Sequence, residues 1–370
     1  MKKLLVFMAA FVVMISLTAC QKETFTVALV TDVGTVTDKS FNQGAWEGVV
    51  QFAEEFEYSH QYYQPDDQTT DEYVKSIDLA VENGAEVVVT PGFFFENTIW
   101  LVQDKYPEVK FIILDGAPHN VADWDTGDTV DGEAWDFTQG ANVTAIFYEE
   151  HESGFLAGYA AVADGLTELG FMGGKAVPAV VRFGYGFVQG AAKAAEEMDK
   201  MVTIKYNYLG GFGPDPAFQA KAATWYDEGT EVIFACAGGA GGSVMKAAEQ
   251  EEGLVIGVDV DQSAESTTVI TSAKKELAPS VYETLKDWHE GNWPGGQLRF
   301  SAENLGVALP ENFDRFTTFD STLYATLLTK VQDGTYVVDA TLQVDGTDKT
   351  TAELLADYVA GTYTTVTIIE

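Results

Sequence analysis

A chain of 370 residues, 46% hydrophobic and 12% aromatic, can bury more than one large core, which excludes a mostly disordered protein and suggests two lobes. Its 57 Asp and Glu against 21 Lys and Arg, a formal charge of −36, repel nucleic acid and disfavour a highly charged phosphate ligand. A neutral or cationic small molecule is the better match.

Lys2 and Lys3 precede an apolar run at residues 4–17, and Leu17-Thr18-Ala19-Cys20 ends it with small residues before a cysteine. The run is shorter than the ~20 apolar residues a membrane span needs, so residues 1–19 read as a leader. They resemble a bacterial lipoprotein signal with its lipobox. That resemblance implies a lipidated Cys20 and a short tether, residues 20–24, on the extracytoplasmic face of the cell membrane. Cys236 is the one other cysteine and lies in an apolar run at 232–237. It is expected to be a small core residue, and the fold to do without a disulfide.

From residue 25 onward short apolar runs alternate with helical periodicity. A strand at 25–31 is followed by a helix after Ser40, with Ala45, Val49, Phe52, Ala53 and Phe56 at three- and four-residue spacing. Ser40 and Gln43 have the spacing of a capping box. Strands are predicted at 58–64, 86–90 and 110–114, and helices at 70–83 and 96–106. This rhythm predicts a parallel sheet covered on both faces, with ligands held beyond the carboxyl ends of its strands. Asp32, Pro91-Gly92 and Asp115-Gly116 fall at those ends.

Residues 119–136 interrupt the rhythm with six carboxylates out of register for an EF-hand, and read as a solvated acidic loop rather than a Ca²⁺ site. The pattern then restarts, with strands at 142–147, 168–172, 202–209, 232–237 and 254–258 and helices at 153–163, 183–198, 218–228 and 241–251. Residues 268–271 read as a strand returning toward the first lobe, 278–289 as a helix, 300–309 as a third crossing and 320–332 as a late helix. The expectation is an α/β protein of two doubly wound parallel-sheet lobes. Residues 25–140 and 272–302 would form the first, 141–271 and 303–338 the second, and 339–370 a polar extension with a helix at 351–358.

The four histidines are scattered, none within three to five residues of another His or of a Cys, so the common zinc spacings are absent. Gly-x-Ser-x-Gly does not occur, and neither 210–213 nor 238–243 carries the Gly-Lys-Ser/Thr of a P-loop. A nucleoside hydrolase would need clustered Asp-x-Asp-x-x-x-Asp-Asp ligands near the first strand, which are lacking. No enzyme, metal or cofactor is expected.

Val30-Thr31-Asp32 with Asp38-Lys39-Ser40-Phe41-Asn42-Gln43-x-x-Trp46-Glu47-Gly48 resembles the signature of the basic membrane protein family of bacterial substrate-binding lipoproteins. Phe111-Ile112-Ile113-Leu114-Asp115, Glu152-Ser153-Gly154-Phe155-Leu156-Ala157-Gly158, Ile256-Gly257-Val258-Asp259 and Trp293-Pro294-Gly295-Gly296 agree, in the same order. The resemblance implies a type I periplasmic-binding-protein fold with a three-segment hinge, monomeric, delivering a purine nucleoside (adenosine, guanosine or inosine) to an ABC permease. By matching motifs, Phe41 and Phe212 would stack on the base. Asp32, Asn42 and Asp115 would be polar contacts from the first lobe, Gly238 and Asp259 from the second. Lys275, or Lys274 one residue earlier, would reach the ribose. The chain departs from the family around Phe212, with Gly-Gly before the ring and Gly-Pro-Asp-Pro after it where the family has Ser or Thr before and Ser-Asp after. A sugar or furanose-type signal is the alternative cargo for the same fold.

Overall fold

The computed structural model describes residues 25–369 except 33, 125, 345 and 346, so the leader and Cys20 lie outside the described residues. The chain opens with β1 (Val27–Val30), α1 (Phe41–Phe56), β2 (His60–Tyr63), α2 (Thr70–Glu82), β3 (Val87–Pro91), α3 (Glu96–Gln103), β4 (Lys110–Leu114) and β5 (Val143–Tyr148). It continues with α4 (Glu150–Ala163), β6 (Glu168–Gly173), α5 (Pro178–Glu197), β7 (Val202–Tyr208), α6 (Pro216–Asp227), β8 (Val232–Cys236), α7 (Gly241–Glu251) and β9 (Leu254–Asp259). The last part holds β10 (Val269–Lys275), α8 (Leu277–His289), β11 (Gly296–Phe300), β12 (Val307–Ala308) and α9 (Ser321–Gln332). A small hairpin, β13 (Gln343–Val344) and β14 (Thr347–Asp348), two short helices, α10 (Thr351–Leu354) and α11 (Ala356–Val359), and β15 (Thr364–Ile368) end it.

Every residue of β1 and β3 is buried, as strands covered on both faces should be. One sheet runs β11-β5-β4-β3-β1-β2, all parallel; the other runs β12-β10-β9-β8-β6-β7-β15, parallel except where β12 meets β10. Both contain the same doubly wound order, β2-β1-β3-β4-β5 in the first and β7-β6-β8-β9-β10 in the second. Each therefore has a switch point, between β1 and β3 and between β6 and β8, where loops diverge and leave a crevice.

Three crossings join the lobes, after β5, after β10 and between β11 and β12, and two of them fall where the sequence rhythm did not put them. Residues 142–147, expected in the second lobe, form β5 and pair with β4 in the first sheet. Residues 272–275, expected in the first lobe, complete β10, which pairs with β9 in the second, so this crossing comes later than expected. A buried parallel strand has the same composition in either sheet, so its apolar run does not say which one it joins. The tail is no appendage either. β15 pairs in parallel with β7 and completes the second sheet, with Val366 buried. The helix expected at 351–358 is broken at Leu355 into two short ones.

Helices α4 and α5 approach backbone to backbone. A Cβ on Gly154 or Gly158 would fall on the carbonyl oxygens of Phe183 or Phe187, and one on Gly186 or Gly190 on those of His151 or Phe155. No larger residue fits these four places, so the two helices keep a fixed spacing.

Candidate functional site

The loops at the carboxyl ends of both sheets enclose a cavity of about 420 Å³ between the lobes. Asp32, Phe41, Asn42, Asp115, Phe212, Gly238, Asp259 and Lys275 all line it. Lys274 does not; its ammonium pairs with Glu276, 2.9 Å away. Phe93, Phe94, Val180 and Phe183 add an apolar wall that the sequence reading did not include.

The first-lobe side is built by the turn before α1. Asp38 Oδ1 accepts from the amides of Ser40 and Gln43, while Oδ2 accepts from the amide and the Nδ2 of Asn42. Asn42 Nδ2 also donates to Asp32 Oδ1 at 2.9 Å, so this carboxamide ties two carboxylates together. Both Asn42 N–H groups are thereby committed to the loop, which makes the residue a brace for Asp32 and Phe41. The capping box expected from Ser40 does not form. A carboxylate is the stronger acceptor at a helix N-terminus, and Asp38 has taken that place. Ser40 Oγ instead donates across the cleft to Asp259 Oδ2, at 2.5 Å. Gln262 Nε2 donates to the Lys39 carbonyl at 2.7 Å, a second bond holding the lobes closed on each other.

Asp115, just past β4, and Asp259, the last residue of β9, are counterparts in the two lobes. Both have left-handed backbones, φ 61° and 66°, which non-glycine residues adopt at a cost and which Asp tolerates better than most. Lys275, at the end of β10, stands between them. Its Nζ lies 2.5 Å from Asp115 Oδ2, 3.0 Å from Glu150 Oε1 and 4.0 Å from Asp259 Oδ1. It is also 4.8 Å from the centre of the Phe41 ring, 5.2 Å from Tyr148 and 5.4 Å from Phe183.

Burial opposes the charge on Lys275, but Asp115, Glu150 and Asp259 outweigh it and hold the ammonium above its usual range. Burial also pushes the Asp115 carboxyl up to about 7, more than the attraction of Lys275 brings it down. Asp259 is raised for the same first reason, against Lys275 and the Ser40 hydroxyl. Glu150 goes the other way: burial is overcome by Arg182 and then Lys275, which hold it at about 2.

Phe212 enters from the loop after β7. A Cβ on Gly174 would occupy the place of its ring, and one on Gly238 would come within 3.7 Å of it. The ring therefore sits in space left by two glycines, and the Ala240 amide donates to its carbonyl at 2.7 Å. Cys236 is buried as expected, although it also forms part of the cavity wall. Among the described residues no group of three His, Cys, Asp or Glu stands at metal-holding distance.

The profile of the Bmp family, described as PnrA-like ABC transporter substrate-binding proteins, matches residues 25–330. The chain belongs to this family. Members similar to it include the "ABC transporter nucleoside-binding protein BmpA" of Lactococcus lactis subsp. cremoris, 27% identical over 84% of this chain and 88% of that one. "Basic membrane protein A" of Borreliella afzelii is 30% identical over 74% of this chain and 78% of that one. A solved ABC transporter solute-binding protein from Aeropyrum pernix K1 superposes with a TM-score of 0.72 at 21% identity, over 85% of this chain and 94% of that one, which supports the two-lobed binding-protein fold. This Bmp-family chain is thus an ABC transporter substrate-binding protein, a class that carries a small molecule to a permease.

Sequence reasoning did not single out as site residues Asp38 and Lys39, which line the cavity of this Bmp-family chain, nor Glu150 and Arg182, which stand behind Lys275. Glu149-Glu150-His151-Glu152 reads as the solvated acidic start of a helix, and nothing in that run marks Glu150 as fully buried. A lone arginine, Arg182, within an otherwise apolar stretch of α5, residues 180–185, was the one available signal.

Proposed function

We propose that the cargo is a purine nucleoside, captured between the lobes on the outer face of the membrane by a protein anchored through lipidated Cys20. One observation carries this reading: Phe41 and Phe212 line one cavity from opposite lobes, together with Asp115, Asp259 and Lys275. A flat heterocycle between two rings gains ~1–3 kcal/mol of stacking per base. Ribose hydroxyls suit a floor of carboxylates beside one ammonium. A 5′-phosphate would meet Asp32, Asp38, Asp115 and Asp259, with Lys39 and Lys275 to offset them. About 420 Å³ is in the range for a ligand of this size. The nucleoside-binding relative from Lactococcus lactis points to the same class.

Isothermal titration of ligand-free protein with adenosine, guanosine and inosine is the direct test, and saturable binding of at least one is expected. Binding of a pentose or hexose with no heat from any nucleoside would overturn the reading in favour of a sugar cargo. The anchor has its own test: Cys20→Ala should release the protein from the membrane fraction, and retention there would count against lipidation.

A further inference from the structure

Glu150, a buried charge behind the cavity floor, and its partner Arg182 have no task in nucleoside capture as described so far. Glu150 is the first residue of α4, at the first crossing between lobes, and is fully buried. Its Oε2 accepts from Arg182 Nε at 2.5 Å, while Oε1 lies 3.0 Å from Lys275 Nζ. Lys275 is the last residue of β10, next to the second crossing. An ammonium has three N–H groups; one donates to Asp115 Oδ2, while Glu150 Oε1 faces the charge as an ion-pair partner without accepting a hydrogen bond. Asp259, at 4.0 Å, is beyond hydrogen-bond reach. On the other side of the pair, Asp115 Oδ1 is buried with no hydrogen-bond partner. Such an atom costs free energy until a donor reaches it.

We propose that Glu150, held by Arg182, is a positioning residue whose charge holds Lys275 so that a free N–H of the ammonium and the open oxygen of Asp115 form a donor and acceptor pair for one sugar hydroxyl. A hydroxyl can accept from the first and donate to the second at once. The identity of that hydroxyl as a ribose group rests on the nucleoside reading; the pinning of Lys275 does not. The scaffold suits the task. The glycine contacts between α4 and α5 fix how far Arg182 stands from Glu150, so the carboxylate has little freedom to follow a moving lysine. Glu150 stays ionised, since Arg182 and Lys275 overcome its burial, and so remains a permanent counter-ion. The charged groups facing Asp115 are Lys275 from β10, Glu150 from α4 and Arg182 from α5, and Glu150 is the one that opposes its ionisation.

The test begins without ligand. The carboxyl titration of Asp115, followed by ¹³C NMR, should move to lower pH in Glu150→Gln, because a facing negative charge is gone and Lys275 is left to Asp115. An unmoved midpoint overturns the pinning. Inosine and 2′,3′-dideoxyinosine are then titrated into wild type, Glu150→Gln and Glu150→Asp. Asp keeps the charge but is one methylene too short to reach Arg182 and Lys275 together. Both variants should lose roughly 10- to 100-fold in inosine affinity, the value of a charged hydrogen bond, and much less for the dideoxy analogue. Equal losses for both ligands, or a Glu150→Asp protein that discriminates like wild type, would show a structural role and sink the proposal, as would failure of both variants to fold. If wild type binds no nucleoside, the nucleoside reading fails by itself and the Asp115 midpoint still decides the pinning.

Discussion

The two sides of the cavity hang from sheets of the same strand order, yet they are made rigid by different means. On the first-lobe side, Asp38, Asn42 and Asp32 lock the turn before α1 with side-chain hydrogen bonds, and Phe41 is set by that lock. On the second-lobe side, Phe212 is held by the room that Gly174 and Gly238 leave and by backbone bonds such as that from the Ala240 amide. One jaw is braced, whereas the other is seated. A braced ring should tolerate little change around it, and a seated ring can be re-aimed by altering the loop that carries it.

That contrast depends on both jaws sharing Lys275, and removing it gives the largest expected effect. Lys275→Met would leave Asp115, Glu150 and Asp259 buried with only Arg182 to offset them, at a cost of about 3–5 kcal/mol in denaturant unfolding. Stability close to wild type would mean the jaws are not joined there. Next comes pH. Asp115 is raised from the ordinary carboxylate range to about 7, so between about pH 4 and 7 the folded protein holds a proton the unfolded chain releases. Ligand-free stability should therefore fall by a few kcal/mol as pH rises through that window, and Asp115→Asn should flatten the slope. A ligand hydroxyl donating to the ionised carboxylate reverses the preference, so nucleoside affinity should rise over the upper part of the same window.

The rings themselves come third. Phe41→Ala should cost about 1–3 kcal/mol of nucleoside affinity by titration calorimetry, and Phe212→Ala less, because its loop can resettle. Equal losses would erase the distinction between braced and seated. The smallest effect belongs to the bond across the cleft. Ser40→Ala should remove about 0.5–1.5 kcal/mol from the closed arrangement, and small-angle scattering should show a more extended ligand-free protein. An unchanged scattering profile would assign closure to the hinge cluster instead.

Much of this architecture could be read from the chain alone. Apolar runs such as 87–91 and 110–114 are buried on both faces of a parallel sheet and so stand out without any partner being known. What could not be read is membership and direction. The acidic loop at 119–136 looked like a boundary, and β5 was assigned to the wrong lobe. β15 was missed because an edge strand rich in Thr364, Thr365 and Thr367 shows little apolar signal. At the site, motif positions brought eight residues to one cavity, while Glu150 stayed hidden because burial of a charge depends on Arg182, 32 residues away. Ser40 was legible as a helix cap by spacing, but Asp38 was two residues nearer the tip of the turn and took the amides first.

The interleaving of the lobes also sets an order of events during synthesis. The first sheet lacks its outer strand until residues 296–300 have emerged, and the second lacks its last until residues 364–368 have. A nascent chain made N-terminus first thus carries two unfinished sheets for most of translation, each with an open edge able to pair wrongly. The first lobe must wait for a segment made after nearly all of the second. A chain cut at residue 330, where the family match ends, would leave the β7 edge bare for good.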